Sequence, residues 1–125
     1  MAIKRIFIAF AIEDEKYRNF LSAQAKLEKS PFEFTDMSVK EPWDEKWKAN
    51  CRTRVKGCDG MIALISKNTL QADGALWEIQ CAFDENKPVM LMWINDERPT
   101  LPSLLKNKRI NVWSWENLKT FIEGL

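Results

Sequence analysis

Two continuous apolar runs joined through a helical segment constrain this chain more than any other feature. The runs are Met61 to Ile65 and Val89 to Ile94; between them lie a polar turn, Ser66 to Asn68, and a helix from about Gly74 to Asn86. A run that is apolar at every position, rather than at alternate ones, reads as a strand buried on both faces. Two such strands linked through a helix form a parallel crossover, because parallel neighbours cannot be joined by a tight turn. Both sheet faces must then be covered. Open sheets of this kind collect ligands outside the carboxyl ends of their strands. Ser66 stands at one such end, and Glu78 lies one turn into the helix that follows.

The rest of the chain extends the same pattern. Ile3 to Phe10 reads as a central parallel strand, and Asp14 is placed to cap a helix carrying Tyr17, Phe20, Leu21 and Ala25 at helical spacing. Pro31 closes that region, Phe32 to Asp36 is a short second strand, and Met37 to Glu41 is a polar loop. Pro42 suits the first position of the next helix, Asp44 and Glu45 suit its positive end, and Gly57 suits its C-terminal cap. Trp43, Trp47, Cys51 and Val55 form an i, i+4 stripe along it. Arg109 to Val112 is a last short strand and Trp115 to Ile122 a last helix. This order predicts a single α/β domain over residues 1–125, a flavodoxin-like three-layer sandwich around a five-stranded parallel sheet. The first strand is expected in the sheet interior. The segment from Asp36 to Trp43 is expected to be exposed and mobile.

Composition removes several kinds of chemistry. Histidine is absent, so no Ser-His or Cys-His nucleophile pair and no imidazole acid-base exists. The usual zinc sites go with it, and no metal is expected. Lys and Arg number 19 against 18 Asp and Glu, leaving no field that argues for nucleic acid or an anionic membrane as partner. No run approaches the length of a membrane span, and the first ten residues read as a strand rather than a signal peptide, so the expected location is the cytoplasm. Cys51, Cys58 and Cys81 are odd in number and lack C-x-x-C spacing, which reads as reduced thiols. The first strand-to-helix turn, A-F-A-I-E-D, has no glycine, which disfavours a phosphate-cradling turn and a flavin-binding electron carrier.

Projected at about 100° per residue, the helix from Gly74 turns Ala75, Leu76, Ile79, Ala82 and Phe83 inward. Glu78 falls on the flank of that face and Trp77 nearly opposite the core. A carboxylate on a flank is most often simply solvated, and its replacement is expected to change stability little. An outward tryptophan beside it marks a contact site. Trp47 reads as core, Trp93, Trp113 and Trp115 as core or C-terminal packing, and Arg52 and Arg54 as a solvated helix face.

The run I-A-L-I-S-K-N-T-L, followed by Glu78 and Ile79, resembles the Toll/interleukin receptor (TIR) domain, in which a strand ending in Ser-Lys-Asn leads into a helix bearing a Glu and an aliphatic residue. The opening I-F-I-A-F resembles the first-strand box of that family, with Ala9 where Ser is usual. D-M-S-V-K-E-P-W (Asp36 to Trp43) and C-R-T-R-V-K-G-C-D-G resemble, more narrowly, the TIR-like proteins of bacterial Thoeris anti-phage defence. A further departure is Gly74, where the family commonly has Trp four residues before its Glu.

The resemblance implies an enzyme that cleaves the nicotinamide–ribose bond of NAD, which is a substrate rather than a cofactor. Its product would be a cyclic or modified ADP-ribose signal read by a separate effector protein, with a homo-oligomer as a further partner state. It implies Glu78 as the catalytic residue, Phe10, Ala11, Asp36 and Trp43 lining the pocket from neighbouring loops, and Ser66 and Trp77 shaping its far wall. Such chemistry needs no imidazole: nicotinamide leaves a cationic nitrogen as a neutral molecule, so one carboxylate stabilising an oxocarbenium-like centre is enough. The alternative reading is a non-catalytic TIR-like adaptor acting through protein–protein contacts.

Overall fold

A computed structural model describes residues 4–29, 32–37 and 40–125. Five strands form one sheet: β1 (Lys4–Ala9), β2 (Phe32–Thr35), β3 (Gly60–Ile65), β4 (Val89–Trp93) and β5 (Ile110–Val112), in the order β2-β1-β3-β4-β5. All four pairings are parallel, with Ile8 opposite Ile62 and Ala63 opposite Leu91. β1 is therefore interior, as its apolar run requires. Among the described residues four α-helices accompany the sheet: α1 (Glu15–Leu27), α2 (Glu45–Lys56), α3 (Asp73–Asp84) and α4 (Trp115–Glu123).

Alternation along the strands sends side chains to two separate cores. Phe7, Ala9, Met61, Ala63, Ile65, Leu91 and Trp93 pack with Trp47, Cys51 and Val55 of α2 and Ile79 and Ala82 of α3. Ile6, Ile8, Ile62, Leu64, Met90 and Met92 pack with Leu21 of α1 and Leu118 and Ile122 of α4. Helices on both faces make the three-layer sandwich that the continuous apolar strands demanded. Each large side chain fully removed from water, such as Phe7 or Leu64, contributes about 1.5–3 kcal/mol.

Several local expectations are corrected. Asp44, not Pro42, opens α2: its side chain accepts hydrogen bonds from the backbone amides of Lys46 at 2.8 Å and Trp47 at 3.4 Å. Pro42 lies in a turn before the helix. Trp43 consequently falls outside the buried stripe, which reduces to Trp47, Cys51 and Val55. Asp14 precedes α1 without capping it, because its side chain is engaged elsewhere. Phe20, read as part of the buried face of α1, is 59 % exposed. Gly57 does cap α2 at its C-terminal end. The segment before α2 is less exposed than expected, since Met37 is buried and Lys40 nearly so; Ile3, Pro31, Ser38 and Val39 lie outside the described residues.

Candidate functional site

Glu78 is the centre of the site, and it is not on a solvated flank. Its side chain has no exposure at all. The projection erred because one helix axis carries no information about what stands beside it. The segment before α2 and α2 itself wall in a second side of α3, so Gly74, Glu78 and Cys81 are buried along with Ala75, Ile79 and Ala82, while Leu76 and Phe83 are only partly so.

The group that reaches Glu78 is Lys40. Its Nζ donates to Glu78 Oε2 at 2.6 Å, and the lysine side chain is only 9 % exposed. The same ammonium stands 4.0 Å from the centroid of the Phe10 ring, a cation–π contact strengthened where water is excluded. Gly74 makes room for this approach. It lies one turn before Glu78 on the same side of α3, and a Cβ built there would stand 3.2 Å from Lys40 Cβ and 3.7 Å from Trp47 Cη2. A large side chain at position 74 would collide with Lys40.

Burial pushes the Glu78 carboxyl up to about 8; the charge and hydrogen bond of Lys40 act against that rise, as does the Phe10 backbone amide, and Asp36 adds to it. The short Lys40 contact has the geometry of a charge-assisted bond, but desolvation is the larger effect. At neutral pH the carboxyl therefore stands close to the balance between its proton and its charge. Despite the nearby Phe10 amide, Glu78 Oε1 accepts no well-aligned hydrogen bond from any described residue. A buried carboxylate oxygen without a well-aligned donor costs stability.

The residues expected around Glu78 are only partly brought together. Phe10 is, through its ring and amide, and Ala11 follows it, buried at the end of β1. Asp36 is near enough to act on Glu78 electrostatically, but its carboxylate is held by Arg18 Nε at 2.6 Å and its carbonyl by Arg54 at 2.6 Å. Arg54 is thus tied to the end of β2, and Arg52 bridges to Asp84 at the end of α3 and to Glu85 just after it. Ser66 is buried. Its hydroxyl donates to Asp14 and accepts from the Asn68 amide, while Asn68 Nδ2 donates to Asp14 at 2.9 Å. Thr69 completes this buried knot by accepting from the Ser66 amide at 3.0 Å and donating to the Leu64 carbonyl at 2.8 Å. The knot ties the β1–α1 turn to the β3–α3 turn at the carboxyl end of the sheet.

Trp77 is also corrected. It is half-buried rather than opposite the core: its Nε1 donates to the Lys48 carbonyl at 3.3 Å, and the side chains of Lys48 and Arg52 lie over its ring. Trp77 thereby fastens α3 to α2. Together with Trp43, which is 77 % exposed, it lines an open groove of about 580 Å³ that includes Lys48, Asp73 and Gln80 but not Glu78. The two tryptophans line one groove, but outside the Glu78 centre.

Lys40 was missed in the sequence, as were the structural roles of Asp14 and Thr69. One feature of the chain hinted at Lys40: Gly74 leaves a gap on α3, and a long side chain from the loop after β2 is suited to fill it. Among the described residues no His, Cys, Asp and Glu cluster is arranged to hold a metal ion, and no helix is long and apolar enough to cross a membrane. All three cysteines are free and buried.

Residues 7–99 match the family described as Thoeris protein ThsB, TIR-like domain. Among solved structures, the chain is similar to the TIR domain of the Toll-related receptor TRR-2 from Hydra magnipapillata, with a TM-score of 0.71 at 15 % identity, covering 94 % of this chain and 97 % of that one. It is also similar to a prokaryotic SEFIR domain, with a TM-score of 0.57 at 12 % identity, covering 97 % and 88 %. These likenesses establish the fold. No curated protein sequence matches.

Proposed function

The chain belongs to the TIR-like domain family of the Thoeris protein ThsB, and from that premise we propose that it cleaves NAD between nicotinamide and ribose. The observation that carries this reading is the Glu78 carboxyl, fully buried in the helix after β3 and met there by the Lys40 ammonium and the Phe10 amide. In the reaction the bond between the ribose C1′ and the pyridinium nitrogen breaks, and its electron pair neutralises that nitrogen. The ribose carbon gains positive charge, which the Glu78 carboxylate stabilises in a water-poor setting where such interactions are strong. Water then attacks C1′ and loses a proton to give ADP-ribose. When a hydroxyl or base nitrogen of the same molecule attacks instead, the product is cyclic. No general acid is needed, in contrast to glycosidases that must protonate their leaving group.

On this reading NAD is the substrate, no cofactor or metal takes part, and the nucleotide product acts as a signal to a separate effector in anti-phage defence within the cytoplasm. Phe10 supports the reading through its ring and amide beside Glu78. The test is release of free nicotinamide from NAD by the purified protein, assayed also at high protein concentration so that a homo-oligomeric site would be complete. Release by the wild type that is lost in Glu78→Gln supports the reading. No release at any concentration favours the adaptor alternative, for which the exposed Trp43 is the specific observation. In that case partner binding should respond to Trp43→Ala and not to Glu78→Gln.

A further inference from the structure

A lysine ammonium buried between a carboxylate and an aromatic face is a cation held in a made-to-measure place. Three observations define that place. Glu78 is fully buried and offers one oxygen to Lys40, while its other oxygen accepts no well-aligned hydrogen bond from any described residue although the Phe10 amide lies near. The Phe10 ring, itself fully buried, presents its negative face to the same ammonium at 4.0 Å. Gly74 lacks the Cβ that would press on the lysine stem at 3.2 Å. Carboxylate and ring face together select positive charge, and the ring also favours a flat or soft cation over a strongly hydrated one.

The occupant differs from its surroundings in one respect. Glu78 is fixed in the middle of α3 and Phe10 directly after β1, both without exposure, whereas Lys40 belongs to no helix or strand and retains some contact with solvent. Four rotatable side-chain bonds let its ammonium leave without moving the backbone. Water alone would not draw it out, because departure strands the carboxylate. A second cation would.

We propose that Glu78 and the Phe10 ring face form a cation subsite, that Lys40 is its tethered resident, and that a ligand carrying an N-substituted pyridinium cation enters by displacing the Lys40 ammonium. The identification of that ligand as a ribosylated pyridinium rests on the NAD-cleaving reading; the subsite itself does not. Lys40 thus competes with substrate and keeps the carboxyl covered when none is bound. Binding of the pyridinium then replaces one positive charge by another beside the carboxylate, and the lysine returns its charge to water.

The probe is 1-methylnicotinamide, a pyridinium with no bond to cleave, compared with neutral nicotinamide. At pH 9, above the value of about 8 to which burial raises the Glu78 carboxyl, Lys40→Met removes the resident charge at similar length and is expected to tighten 1-methylnicotinamide binding at least tenfold, while nicotinamide changes little. Lys40→Arg retains the charge and should bind as weakly as the wild type, and Glu78→Gln in the Lys40→Met background should abolish the gain. The wild-type protein gives a second readout that needs no substitution. Saturating 1-methylnicotinamide should raise acylation of Lys40 by an N-hydroxysuccinimide ester at least fivefold, read by peptide mass spectrometry. Unchanged Lys40 labelling, or a gain in Lys40→Met shared equally by neutral nicotinamide, overturns the proposal. Cation binding that behaves as expected in a protein that never releases nicotinamide from NAD leaves the subsite standing and removes the NAD-cleaving reading. NAD cleavage without any cation effect does the reverse.

Discussion

Replacing Glu78 with Gln should make the protein more stable, and increasingly so as pH rises. The carboxyl ionises at about 4.5 in an ordinary setting and at about 8 in the folded chain, chiefly because it is buried. Between those values the folded state holds a proton that the unfolded chain releases. Stability is therefore complete below about 4.5 and is lost as pH rises toward about 8. Each pH unit in that window removes about 1.36 kcal/mol. By pH 7 the accumulated loss is about 3 kcal/mol. Gln cannot ionise, keeps a carbonyl oxygen to accept from Lys40 Nζ, and escapes the loss. Urea unfolding of wild type and Glu78→Gln at half-unit steps from pH 5 to pH 7.5 measures the difference directly. The curves should diverge, with the variant ahead by about 1 kcal/mol near pH 5.5 and about 3 kcal/mol at pH 7. A constant offset, or a wild type that gains on the variant as pH rises, would show that burial does not hold a proton on Glu78 across this range and refute the reasoning. The flank position read from the helix projection gives no pH dependence at all.

Three further outcomes are expected. If the ionised carboxyl is the working form, kcat/KM for NAD should climb with pH and level off near 8; a profile flat from pH 5.5 to 8.5 would detach Glu78 from the rate. Trp47→Ala opens a hole where α2 meets α3 and should cost about 3–5 kcal/mol, whereas Trp43→Ala, at an exposed ring, should stay within about 0.5 kcal/mol; chemical denaturation of both variants checks the contrast. Ser66→Ala leaves Asp14 and the Asn68 amide without their shared hydroxyl and should cost about 1–3 kcal/mol, read as a lower denaturation midpoint, with NAD cleavage of the folded fraction retained because Ser66 faces the knot and not Glu78.

Much of the fold was legible because its determinants are local. The apolar runs at Met61 to Ile65 and Val89 to Ile94 specify strands buried on both faces, and burial on both faces specifies parallel pairing and two helix layers. Gly57 and the stripe Trp47, Cys51 and Val55 were readable for the same reason. The site was less legible because its determinants are long-range. Glu78 could be singled out by its position after β3, but nothing in α3 reveals that a loop 38 residues away delivers a lysine to it. Ser66 and Asp14 were each assigned the role common to their local position, pocket rim and helix cap, yet they satisfy each other across 52 residues. Trp77 appeared outward on its own helix and is instead covered by α2 through Lys48 and Arg52. Helix projection describes one cylinder; packing depends on its neighbours.

The central claim is that the Glu78 carboxylate stabilises positive charge as the nicotinamide–ribose bond of NAD breaks. Its most direct test is the rate of product formation from NAD, followed by mass spectrometry for free nicotinamide and for linear or cyclic ADP-ribose, in wild type and in Glu78→Gln confirmed to be folded. Loss of one preorganised electrostatic group predicts a fall of about a hundredfold or more with the product distribution otherwise unchanged. An active wild type whose Glu78→Gln variant keeps its full rate would contradict the account and place the chemistry elsewhere in the molecule.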